Sequence, residues 1–171
     1  MFKFIGLVGL ISSCGLIGLY KFLYLKRRVK LLEDFLKIVM EIKSYINYFK
    51  EPLPELFKTI GKNSDSKACI LINEIQHQMA AKPLEISKFW PLKAEQVYRN
   101  EPLTKEDMDL VKYLGEFVGQ TDYDNQIIHF NYLEENLKKQ IVTATDELNK
   151  KGPLLKKTGF IIGIIISIVL M

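Results

Sequence analysis

Charge is missing from both ends of this chain and crowded just inside them. Phe4 to Tyr20 carries no charged side chain, and neither does Gly159 to Met171. Lys26, Arg27, Arg28 and Lys30 follow the first run; Lys150, Lys151, Lys156 and Lys157 precede the second. Two apolar ends flanked by cations must be hidden in a protein core or in a bilayer whose headgroups meet the cations. Whichever it is fixes the compartment and topology of the region between.

A spanning helix needs about 20 apolar residues to cross a ~30 Å hydrocarbon core. Phe4 to Tyr20 is slightly short. Lys21 can extend its ammonium toward water and bring Phe22 to Leu25 into a transmembrane helix over 4–25. Gly9 with Ser13, and Cys14 with Gly18, have the spacing of small residues that lets membrane helices approach closely. A cleaved signal peptide is the competing reading of an apolar run after Lys3. No A-x-A-like site precedes the basic cluster, and Lys26, Arg27 and Arg28 make a poor start for an exported domain. A retained anchor is therefore expected. The second segment, 158–171, is short: at ~1.5 Å per residue its uncharged part gives only about 20 Å. Its isoleucine-rich composition favours membrane insertion over interior burial, with full crossing left open. Lys and Arg next to the spans set orientation. Eight lie on the inner flanks, against Lys3 and the α-amino group outside, so residues 26–157 are expected in the cytoplasm.

The formal charge of +4 conceals a division. Residues 26–157 contain 22 of the 24 basic residues and all 20 acidic ones; setting aside the eight flanking cations leaves 14 basic against 20 acidic. That acidic body is a poor nucleic-acid binder, and no nucleic-acid partner is expected. It is large enough for one hydrophobic core. Two cysteines, Cys14 and Cys69, make no disulfide framework and fit a reducing compartment.

Within this body the period is 3.6, with no convincing alternation of period two. Leu32, Phe35, Leu36, Val39, Ile42, Ile46 and Phe49 mark one face of a helix continuing out of the first apolar segment. Pro52 and Pro54 stop it, and Pro54 opens a short helix, 55–60, closed by Gly61. A polar connector at 63–66 leads to a helix over 67–80 with Ile70, Leu71, Ile75 and Met79 inward; Lys82 and Pro83 break it. A fourth helix covers 86–98, where Pro91 either kinks it or marks its first turn. Thr104 with Asp107 resembles a capping box for a fifth helix to about Val118, ended by Gly119. Thr121 or Asp122 caps the sixth, about 124–150, with Ile127, Phe130, Leu133, Leu137, Ile141, Ala144 and Leu148 in a narrow stripe. This helix is expected to pack antiparallel on the first as a stem, with Gly152 and Pro153 as a joint before the terminal segment. The fold class expected is all-α: a cytoplasmic bundle of about six helices between an N-terminal and a short C-terminal transmembrane helix.

Catalytic chemistry is hard to find. Glu74 and His77 form one E-x-x-H step of the kind di-iron bundles use twice, but His129 follows Gln126 where the second acid is needed. A helix-surface pair is the ordinary reading. No phosphate loop, nucleophile elbow or cysteine–histidine pair stands out. The carboxylates sit at helical spacing beside lysines, as solvated faces do. No cofactor or metal is expected, and no enzyme. Trp90 reads as a core anchor. Glycine at 115 weakens a helix interior by up to ~1 kcal/mol relative to alanine, so either another backbone passes close to it or the helix ends early.

Leu114-Gly115, Gly119-Gln120-Thr121-Asp122 and Gln126 together make the pattern L-G-x-x-x-G-x-[ST]-D-x-x-x-Q. Pro52-Leu53-Pro54-Glu55 precedes it, Leu103-Thr104-Lys105-Glu106-Asp107 leads into it, and Leu133, Leu137, Lys156, Lys157, Gly159 and Gly163 follow. In this order, over nearly the whole length, the chain resembles the stage III sporulation protein AB family. The resemblance implies a role in endospore formation, in the mother-cell membrane around the forespore, within an assembly that links the two compartments and supports late forespore development. It implies a soluble region similar to the platform proteins of type II secretion and type IV pili. It also implies a cytoplasmic secretion-type ATPase and other membrane proteins of the same assembly as partners. Pro52, Pro54, Leu114, Gly115, Gly119, Asp122 and Gln126 are then expected to shape the domain rather than to touch the motor. Competing readings are the platform of an ordinary secretion or pilus system, which calls for a longer, duplicated chain, and a membrane-tethered adaptor of unrelated function. Homo-oligomerisation is left open.

Overall fold

From Leu31 to Ile42 an apolar side chain returns every three or four residues, and the helix this builds buries Leu31, Leu32, Phe35, Ile38, Val39 and Ile42. The computed structural model describes residues 2–48, 52–62, 66–81, 86–119 and 123–170. For 2–5, 7, 8, 10, 11, 80, 81, 123, 124, 160, 169 and 170 it describes the backbone alone. These residues form six α-helices and no strand: α1 (Phe2–Tyr48), α2 (Leu53–Ile60), α3 (Lys67–Ala81), α4 (Ile86–Tyr98), α5 (Lys105–Phe117) and α6 (Tyr123–Leu170). The chain divides into two compact units, Met1–Val29 with Val142–Met171, and Lys30–Ile141.

In the unit Lys30–Ile141 the core gathers one face from each helix. Phe130, Leu133 and Leu137 of α6 are buried, as are Leu56, Phe57 and Ile60 of α2. On α3 the buried set is Ala68, Cys69, Leu71, Ile72 and Ile75, whereas Ile70 is exposed and Met79 half-buried. Leu71 and Ile75 point inward as expected, and the buried face extends to Ala68, Cys69 and Ile72 in place of Ile70. The Cys69 thiol faces the Ile60 carbonyl at 3.7 Å. Across the unit, Lys43 of α1 joins Glu134 of α6 at 2.8 Å.

The turns follow from local chemistry. Pro54 lies in the first turn of α2, where a missing N–H costs nothing. Pro91 lies beyond the first turn of α4, inside the helix, so its ring removes the hydrogen bond to the Ser87 carbonyl. At the start of α5 the Asp107 N–H donates to Thr104 Oγ1 at 3.2 Å and the Thr104 N–H donates to Asp107 Oδ2 at 2.9 Å. Asp107 is fully buried. Thr104→Ala and Asp107→Ala should each lower stability by about 1–2 kcal/mol, and the double change by less than their sum, since each removes the reciprocal cap. Urea unfolding followed by helix ellipticity tests this.

The expected joint at Gly152 and Pro153 is not there. α6 runs through both residues to Leu170 as one helix, with Pro153 exposed and Gly152 buried. A Cβ on Gly152 would come within 3.0 Å of the Phe22 ring. The glycine makes room for an aromatic side chain and does not break the helix. Phe49, the connector at 63–65, the break at Lys82 and Pro83, and the caps Thr121 and Asp122 lie outside the described residues.

Candidate functional site

In the unit made of Met1–Val29 and Val142–Met171, α1 and α6 pack antiparallel. Residue 14 lies by 159, 22 by 152 and 28 by 147. The two helices come close at Gly18 and Gly159. A Cβ on Gly159 would stand 2.7 Å from the Cys14 carbonyl oxygen, and one on Gly18 would collide with the Leu155 carbonyl oxygen. Both obstacles are backbone, which cannot step aside as a side chain can. Gly15, Gly163 and Ser167 are buried along the same pair of helices. Of the two small-residue pairs in the sequence, Cys14 with Gly18 forms this seam. Gly9 and Ser13 face outward, where Ser13 Oγ donates to the Gly9 carbonyl. Away from the seam the unit exposes Leu16, Ile17, Leu23, Ile161, Ile165 and Ile168, among others. Among the described residues no helix is long and apolar enough to cross a membrane. Both apolar segments fall partly on residues whose side chains are outside that set.

The basic residues flanking the segments are not equivalent. Lys26, Arg27, Lys30, Lys150, Lys151, Lys156 and Lys157 are exposed. Arg28 is buried and meets Glu147 at 3.1 Å, so it ties the two helices instead of standing on the surface. Lys151 meets the same carboxylate at 2.6 Å, and the Lys156 ammonium stands 3.6 Å over the Phe22 ring. The Lys151 hydrogen bond, with Arg28 assisting, holds the Glu147 carboxyl below its usual value of 4.5. Lys138 and Lys43 do the same for Glu134. Carboxyls lowered in the folded state contribute stability above the unfolded value and lose it as pH falls through the folded one. Stability should therefore be undiminished at neutral pH and decline below about pH 4.5. Glu134→Gln with Glu147→Gln should flatten that acid limb in urea titrations.

In the other unit the structure brings the sequence motifs together. Trp90 of α4 is fully buried, its indole N–H donating to the Val111 carbonyl of α5 at 2.7 Å. Its ring lies against Gly115, one turn on: a Cβ there would be 2.6 Å from Trp90 Cδ1 and nearer still to Cβ and Cγ. The close neighbour of Gly115 is thus an indole, not a backbone. Leu114 is buried beside it. Val118 caps α5 in an extended conformation, and Gly119 follows at φ +80°, a region that side-chain-bearing residues rarely occupy. A Cβ on Gly119 would stand 2.7 Å from Leu53 Cδ1, so the leucine between Pro52 and Pro54 seats against the end of the glycine helix. Pro52 and Pro54 are exposed and Gln126 is half-buried; Asp122 lies outside the described residues.

The sequence model of the stage III sporulation protein AB family matches residues 3–171. The chain belongs to that family. No curated protein and no solved structure matches it. Membership supports a role in stage III of sporulation.

In this family member two of the residues considered for metal chemistry, Glu74 and His129, are engaged with other side chains. Glu74 meets Lys93 at 2.9 Å. His129 Nδ1 pairs with the Tyr113 hydroxyl at 2.5 Å, and its ring stacks on Phe117. Among the described residues no group of three or more His, Cys, Asp or Glu side chains is placed to hold a metal ion. Sequence reasoning missed the Arg28–Glu147 tie, the Trp90–Val111 hydrogen bond and the seat of Leu53 on Gly119. The first had a signal in the acidic pair Asp146-Glu147 just before the second basic cluster.

Proposed function

We propose that the chain is a non-catalytic membrane platform of the assembly linking mother cell and forespore, engaging a cytoplasmic secretion-type ATPase and neighbouring membrane proteins. The observation that carries this is the antiparallel pair of apolar helices in the unit Met1–Val29 with Val142–Met171. Backbone meets backbone along its glycine seam, isoleucines and leucines face outward, and cations gather toward its polar end. Outward-facing apolar side chains on both helices have no use for water, whereas small-residue seams suit helices that must associate inside hydrocarbon. A close partner also supports insertion of the short second segment. Residues 26–157 then lie in the cytoplasm, and both termini on the far side. The platform role and the motor partner come from the family likeness; an all-helical body with an excess of acidic residues is compatible with protein docking.

Two measurements decide this. The full chain should stay with membranes through an alkaline carbonate wash, and release into the soluble fraction overturns the membrane reading. Mild solubilisation of sporulating cells should recover the motor ATPase and companion membrane proteins with it. A preparation that retains the chain but lacks them overturns the platform reading.

A further inference from the structure

At the polar end of the helix pair, Tyr20, Lys21, Tyr24 and Leu25 of α1 and Lys151 and Leu155 of α6 line an open groove of about 340 Å³. Its walls are mostly apolar, and Lys21 and Lys151 are among the residues that line it. The rings of Tyr20 and Tyr24 lie 6.4 Å apart, tilted, with large exposed faces. Beside Lys151 are Glu147, at 2.6 Å, and Arg28, bonded to the same carboxylate. Arg28, Lys151 and Lys21 together outweigh that acid, so the groove is net positive. Directly along α1 the exposed surface becomes Leu16 and Ile17.

Few ligands want this combination. A soluble phosphate would meet the lysines but gain nothing from the walls. A plain hydrocarbon chain would fill the walls but leave the cations unmatched. We propose that the groove binds one anionic glycerophospholipid, its phosphate between the ammonium groups of Lys21 and Lys151 and the start of an acyl chain against Leu25 and Leu155. The tyrosines sit as aromatic residues do at the level of the headgroups. A zwitterionic choline headgroup is disfavoured, because its own cation faces the same lysines. The inference rests on the membrane reading above, and goes beyond it by giving the lipid class and the residues that select it.

Full-length protein in neutral detergent, analysed by native mass spectrometry, tests the groove with phosphatidylglycerol and phosphatidylcholine of identical chains. A lysine at a lipid surface is worth about fivefold in binding. The wild type should therefore retain phosphatidylglycerol over phosphatidylcholine by more than tenfold, and Lys21→Gln with Lys151→Gln should bring the two lipids near parity. Lys21→Gln alone, at an exposed side chain, should remove about fivefold without touching the Glu147 pair. Lys105→Gln and Lys139→Gln, elsewhere on the surface, should change nothing. Equal retention of both lipids by the wild type, or an unchanged preference in the double variant, overturns the proposal. So does displacement of the lipid by millimolar inorganic phosphate, which would make the site one for a soluble anion. Carbonate-resistant attachment to vesicles of either lipid separates the two readings: attachment without headgroup preference sinks only the groove, and no attachment sinks both.

Discussion

Gly115→Ala should destabilise the protein by about 1–3 kcal/mol, the usual cost of overpacking a full core, although alanine is the better helix former by about 1 kcal/mol. The added methyl falls on Trp90, and Trp90 has nowhere to go. Its side chain is fully buried, its N–H is fixed on the Val111 carbonyl and its ring packs 6.3 Å from Phe57. Gly115→Leu should be worse still. Trp90 is the chain's only tryptophan, so its fluorescence in a urea titration reports directly on this contact. Unchanged stability in Gly115→Ala would mean that the indole does not lie where it is described.

Gly159→Leu should separate α1 from α6 in the unit they form from Met1–Val29 and Val142–Met171. The side chain would have to enter the space of the Cys14 carbonyl, 2.7 Å from where its Cβ would stand, and a backbone atom yields only if the whole helix moves. Gly18→Leu should do the same through the Leu155 carbonyl. Spin labels at Leu16 and Ile162, both exposed, should give one narrow distance distribution in the parent and a broad, longer one in either variant, with Cys14 and Cys69 replaced beforehand. Gly9→Leu, on the outward face, should leave the distribution narrow. Indistinguishable distributions across all of these would count against the seam.

The helices of this protein were largely legible because their apolar positions repeat at 3.6 and their ends carry strong local signals. Thr104 with Asp107 and the glycine at 119 depend on neighbouring backbone, which sequence reports well. What depended on distant residues was less legible. Gly152 and Pro153 read as a break because both weaken an isolated helix; the Phe22 ring, far away in sequence, gives Gly152 a packing reason. Ile70 reads as core because it is large and apolar, yet it is exposed while the small Ala68 and Cys69 are buried. Arg28 reads as one of a basic cluster, but Glu147, far along the chain, stands opposite it. In the family motif, the glycines at 115 and 119 could be singled out by their cost, but not that one serves an indole and the other a leucine between two prolines.

The glycines at 18 and 159 have one more consequence. In each, the hydrogen occupying the place of a side chain points at a carbonyl oxygen of the opposite helix, Leu155 for one and Cys14 for the other. Such Cα–H···O contacts are weak, about 0.5–1 kcal/mol each, and water competes for the same oxygens. Hydrocarbon does not. Where the surrounding medium offers no hydrogen-bond partner and no hydrophobic drive for association, a polar contact made by the backbone itself keeps its full strength.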